Sequence, residues 1–142
     1  MFLGKYQHSL DAKGRVTIPS KLRDQLGDRF IATRGLDNCI FLYSLDEWRT
    51  IEDKLRVLPG TRADVRAFMR KFLSAASELE IDKQGRTVLP SNLREYADIF
   101  EDIIIIGVHT RVEIWALDKW DAYDESTDST YETVAESLDL GI

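Results

Sequence analysis

One stretch is written twice in this chain, and the duplication constrains the fold more than any other feature. Asp11-Ala-Lys-Gly-Arg15-Val-Thr-Ile-Pro19-Ser-Lys-Leu-Arg23 returns as Asp82-Lys-Gln-Gly-Arg86-Thr-Val-Leu-Pro90-Ser-Asn-Leu-Arg94. Asp, Gly, Arg, Pro, Ser, Leu and Arg recur at one fixed offset, and a β-type apolar run precedes the Pro both times. A second echo follows each copy, Leu45-Asp-Glu-Trp48 and Leu117-Asp-Lys-Trp120. The chain reads as two copies of one unit, so its function should be a property of the pair. Half a chain, roughly seventy residues, is marginal as an isolated core, which predicts that the halves pack together or into an oligomer.

Each copy carries the same run of signals. Residues 1–10 read as a strand with imperfect alternation. Asp11-Ala-Lys-Gly14 is a turn, because Asp bonds its own downstream backbone and Gly accepts positive φ. Residues 15–18 return as a strand, which puts the motif at the tip and far side of a hairpin. Pro19 ends that strand and opens a short helix that Gly27 closes. Strands follow over 30–33 and 39–43. Ser44, with Glu47 three residues on, caps a helix over 45–55. Pro59-Gly60 breaks the chain, and a helix over 63–74 carries the stripe Val65, Phe68, Met69, Phe72 and Leu73, which suits burial within the subunit or against a neighbour. The cycle then repeats. Residues 118–142 hold eight acids and one base with sparse apolar positions, and are expected to be a helix fraying into a solvated tail, or else a partner-binding or autoinhibitory one. The expected division is a first unit over 1–57, a connecting helix over 58–74, a second unit over 75–124 and an acidic tail over 125–142. The fold class is α+β, mostly antiparallel.

The net charge of −6 looks unsuited to nucleic acid until it is divided. Residues 1–36 carry seven Lys/Arg against three Asp/Glu, residues 37–76 seven against six, and residues 77–142 five against sixteen. A basic first half permits an anionic partner at one face. The longest apolar run, Ile103-Ile-Ile-Ile106, is strand-sized, so no membrane span is expected. The opening residues lack the pattern of a secretory signal, and the single cysteine, Cys39, suits a reducing cytoplasm. Cys39 lies in an apolar strand and reads as a buried small hydrophobe. His8 and His109 stand apart with no further His or Cys at ligand spacing, so no metal is expected. The lone Gly14 and Gly85 do not make a phosphate loop. No nucleophile–base pair emerges, so an enzyme is not expected, nor is a cofactor.

The turn tips carry Lys13 and Arg15 in one copy, and Lys83, Gln84 and Arg86 in the other. Lys21, Arg23 and Arg94 stand nearby on the short helices. Two-stranded β-ribbons fit a DNA major groove, where Arg donates two parallel bonds to guanine and Lys meets phosphate as a point charge. An Asp-x-x-x-Arg pair across a turn is equally a plain ion pair holding the loop. The two readings are compatible if Asp11 orients Arg15 and Asp82 orients Arg86.

The duplicated motif resembles the AbrB-like swapped-hairpin domain. Two such units in one chain, preceded by Met-Phe-Leu-Gly-Lys-Tyr-Gln-His, resemble the MraZ family of bacterial transcriptional regulators. The resemblance implies duplicated swapped-hairpin β-barrel units with flanking helices, related by a pseudo-twofold axis. It further implies a cytoplasmic, nucleoid-associated protein that forms ring-shaped homo-oligomers. Such a protein binds short direct repeats in the promoter of its own division and cell-wall gene cluster. The family's DNA-contacting arginines correspond to Arg15 and Arg86; Lys13, Lys83 and Gln84 extend the site by loop position. The competing expectation is an oligomeric, antitoxin-like interaction module without specific DNA binding.

Overall fold

A computed structural model describes Met1–Ile142. The first half runs β1 (Lys5–Ser9), β2 (Arg15–Thr17), α1 (Ser20–Leu26), β3 (Arg29–Arg34), β4 (Ile40–Ser44), α2 (Leu45–Arg56) and α3 (Ala63–Ser74). The second runs β5 (Ser77–Glu80), β6 (Arg86–Val88), α4 (Ser91–Tyr96), β7 (Asp102–Val108), β8 (Arg111–Ala116), α5 (Leu117–Asp128) and α6 (Tyr131–Ser137). The order of elements follows the sequence pattern, α+β with antiparallel pairing throughout.

The halves do not fold side by side. Six strands form one sheet in the order β1-β7-β8-β4-β3-β5, and β2 pairs with β6 in a separate ribbon. Exchanging β1–β4 for β5–β8 maps every pairing onto another, so a pseudo-twofold axis passes between β4 and β8 and between β2 and β6. β1 lies beside β7 of the second half, and β5 beside β3 of the first. The expected hairpin of β1 with β2 is therefore replaced: after the Asp11 turn the chain leaves the large sheet, and β2 takes its own repeat counterpart as partner. The sheet is open, with β1 and β5 as edges, rather than a closed barrel.

Two apolar clusters fill the space on either side of the sheet. The larger joins Phe30, Leu42, Ile103 and Ile114 of the sheet to Val16, Ile18 and Leu89 near the ribbon and to Leu22, Leu26 and Leu93 of α1 and α4. Each fully buried Leu or Ile contributes about 1.5–3 kcal/mol by leaving water. The smaller cluster, with Phe41, Tyr43, Phe72 and Trp115 at its centre, lies under α2, α3 and α5, with Trp48 and Trp120 packed against it. Trp48 stacks on Phe72, and Thr33 Oγ1 donates to Phe72 O at 2.6 Å, so α3 is docked onto β3 and α2. Ser44 caps α2 by accepting from Glu47 N at 3.2 Å. Beyond Trp120, α5 runs to Asp128 and α6 follows, with Tyr131, Val134 and, just past α6, Leu138 exposed on one side. Ser126 Oγ donates to Tyr123 O at 2.9 Å within α5.

Candidate nucleic-acid interface

Each motif turn is organised by its own aspartate. Asp11 Oδ1 accepts from Lys13 N and Arg15 N, both at 2.9 Å, and Oδ2 accepts from Arg15 Nε at 2.6 Å. Asp82 repeats this with Gln84 N and Arg86 N at 2.9 Å and Arg86 Nε at 3.0 Å. Two carbonyl contacts close each loop: Gly14 N donates to Asp11 O and Asp11 N to Arg15 O. Gly14 and Gly85 sit at φ +74° and +78°, where a side chain would be strained. The backbone N–H of the motif arginine does most to hold each aspartate below the ordinary carboxylate range, against the smaller opposing effect of desolvation, and the guanidinium adds to it. The plain ion pair is thus present, and it aims each arginine from a fixed loop.

The turns meet through the ribbon. Val16 faces Thr87 across the β2–β6 ladder, and both are buried. The alternate positions Arg15, Thr17, Arg86 and Val88 therefore share the outward face. Register puts Arg15 opposite Val88 and Arg86 opposite Thr17, so the arginines stand at diagonal corners of one small surface. Both are half-buried, whereas Lys13, Lys83 and Gln84 are exposed at the loop tips. The exposed Val88, the most open apolar residue of the ribbon at 53 %, offers the sort of contact a thymine methyl accepts.

All seven residues expected at the site therefore gather at the two ends of one ribbon, with Asp11 and Asp82 as orienting groups. Sequence reading missed two features. Thr17 and Val88 complete the outward face, and only the ladder register reveals them. Arg23 and Arg94, noticed as nearby bases, each reach across to the turn of the other half. The repeated Leu-Arg at one offset was a visible signal that these arginines have equivalent work, but the identity of their partner was not.

The other candidates take ordinary roles. Cys39 is fully buried, with burial pushing its thiol far up and Sγ directed at Leu36 O. No group of His, Cys, Asp and Glu is arranged to hold a metal ion. No helix is long and apolar enough to cross a membrane.

Comparison with known proteins places the whole chain in one family. The model of the MraZ protein family, described as antitoxin-like, matches twice, over residues 1–71 and 72–140. The protein named Transcriptional regulator MraZ of Syntrophomonas wolfei is 66% identical over 143 residues, covering 100% of both chains. Its namesake in Natranaerobius thermophilus is 58% identical, covering 97% of this chain and 96% of the other. That of Caldanaerobacter subterraneus is 57% identical, covering 98% and 97%. The chain, with its two copies of the Asp-x-x-Gly-Arg turn joined by one ribbon, belongs to the MraZ family.

Proposed function

We propose that this chain is a sequence-specific DNA-binding transcriptional regulator acting on the promoter of its own division and cell-wall gene cluster, where it binds short direct repeats. The observation that carries the reading is the β2–β6 ribbon, which presents Arg15 and Arg86 on one outward face, each steadied by an aspartate. The name of its relatives, transcriptional regulators, supports the same reading. In this reading Arg15 and Arg86 meet base edges. Lys13 and Lys83 neutralise phosphate, and Gln84 bonds base or backbone at the rim of the contact. The protein needs no cofactor and works in the cytoplasm, associated with the nucleoid. The exchange of β1 and β5 between halves supports treating each half as a swapped-hairpin unit.

Assembly into a ring-shaped homo-oligomer is part of the same proposal. Helix α3 and its N-cap residue carry Arg62, Arg66, Arg70 and Lys71 against Asp64, while α5 and α6 carry seven acids against Lys119. Exposed apolar residues accompany both, Phe68 and Leu73 on α3, and Tyr131 and Val134 on α6 with Leu138 at its C-cap. Two unlike, complementary surfaces on one chain favour head-to-tail contact, which closes into a ring when the rotation allows.

The test is a gel-shift titration on DNA from upstream of the protein's own gene, at two salt concentrations and against scrambled DNA. Wild type is expected to bind selectively and to lose affinity steeply with salt. Arg15→Ala and Arg86→Ala are expected to lose selective binding with the fold intact, since an ion pair open to solvent adds little to stability. A folded wild type with no selective shift would sink the regulator reading. It would favour the antitoxin-like interaction module, to which the undocked apolar side of α6 also lends itself.

A further inference from the structure

Each motif turn is held from outside its own half. Gly85 is buried, and a Cβ built on it would stand 2.6 Å from Arg23 Cζ, so the Arg23 guanidinium of α1 lies directly on the bare backbone of the second turn. The relation is reciprocal: a Cβ on Gly14 would stand 3.1 Å from Arg94 Cζ of α4. The backbones cross in the same sense. Ile18 N donates to Gly85 O and Leu89 N to Gly14 O, both at 3.0 Å. Arg94 is further fixed by donating Nε to Leu89 O at 3.0 Å. Arg23 Nε is buried with no partner in the protein, although buried donors are ordinarily paired. The guanidinium is therefore held there by packing on the turn rather than by hydrogen bonding. Leu22, Leu26 and Leu93, all buried, anchor the two helices that carry these arginines.

We propose that Arg23 and Arg94 are crossed positioning residues: Arg23 holds the turn that aims Arg86, and Arg94 holds the turn that aims Arg15. A flat guanidinium matches a glycine peptide face as an ammonium does not. The device makes neither reading turn independent. Each is completed by the other half, so the two arginines of the outward face are presented in fixed relation. This explains why the motif extends as far as Arg23 and Arg94 and why its glycine is repeated. The functional part of the proposal rests on the reading of the turns as DNA readers; the structural part does not.

The experiment uses the full chain and begins without DNA. Amide hydrogen exchange is measured in wild type, Arg23→Ala and Arg94→Ala, with Arg23→Met and Arg94→Met as variants that keep the aliphatic stem should either alanine form fold poorly. Arg23 variants are expected to speed exchange at the amides of Gln84 and Arg86 and to spare those of Lys13 and Arg15. Arg94 variants are expected to do the reverse. Faster exchange in an arginine's own half, equal loosening of both turns, or no change at either would overturn the crossed brace. In a second arm, DNA affinity and its salt dependence are measured. Loss of a correctly aimed reader predicts selective affinity reduced roughly tenfold to a hundredfold with an unchanged salt slope. A salt slope lowered by about one, with both turns undisturbed, would make these arginines direct phosphate contacts and overturn the positioning role. Crossed exchange with undiminished affinity of the wild type and both variants for scrambled and promoter DNA alike would overturn the DNA-reading role while the brace itself stands.

Discussion

Asp11 and Asp82 do at the scale of single residues what decides the character of the turns. Each carboxylate accepts three hydrogen bonds, two from backbone and one from the arginine four residues on. Those bonds favour the charged form, so both groups titrate below the ordinary carboxylate value. A depressed native value means that the stabilisation is complete above the unfolded pKa, about 4, and is lost as pH falls through the native one. Carboxyl carbon titration by NMR is expected to give midpoints for Asp11 and Asp82 below that of an unfolded control. Exchange at the Lys13, Arg15, Gln84 and Arg86 amides is expected to quicken over the same acid interval. Midpoints at the ordinary value would mean that the carboxylates are not engaged in solution.

At the scale of elements, the β2–β6 ribbon is only three residue pairs long and depends on its buried pair for attachment to the core. Val16 is the apolar member. Thr87, its partner across the ladder and its counterpart in the repeat, is 3 % exposed with Oγ1 unpaired. A buried hydroxyl without a partner costs roughly 1–3 kcal/mol relative to its bonded state. Thr87→Val keeps the shape and makes the pair symmetrical. It is expected to raise stability by about 1 kcal/mol, read as a higher denaturant midpoint at unchanged slope. A lowered midpoint would mean that the hydroxyl is bonded after all.

The whole molecule is symmetrical in backbone and unsymmetrical in charge. In the first half α3 covers the aromatic residues of α2 and the sheet, whereas α6, which also follows a helix led by the repeated Leu-Asp-x-Trp, keeps its apolar residues in solvent. Leu138, 60 % exposed at the C-cap of α6, is a position where a charge tests the proposed assembly without entering the core. Leu138→Glu is expected to leave the circular dichroism spectrum intact and stability within about 0.5 kcal/mol, as surface changes do. In the proposed ring it is also expected to lower the assembly mass measured by light scattering. An unchanged mass would remove α6 from the proposed contact between subunits.

The sequence by itself determined the duplication, the order of elements, the chemistry of the turns and the family. These rest on local causes: Asp bonds N–H groups within four residues, Gly permits positive φ, Pro ends a strand, and periodicity assigns helix or strand. Lys13 and Arg15 on one turn, and Lys83, Gln84 and Arg86 on the other, were legible as turn-tip candidates for that reason, but not as members of one surface. Partner choice was decided only in three dimensions. Alternation says which face of β2 is buried but not which strand lies beside it, and the near-identical strands of two repeats offer equivalent alternatives. Burial of the whole core in common settled the choice in favour of exchange: β1 with β7, β5 with β3, and β2 with β6. From that exchange follow the outward face shared by Arg15 and Arg86 and the crossing of Arg23 and Arg94, neither of which any spacing along the chain expresses.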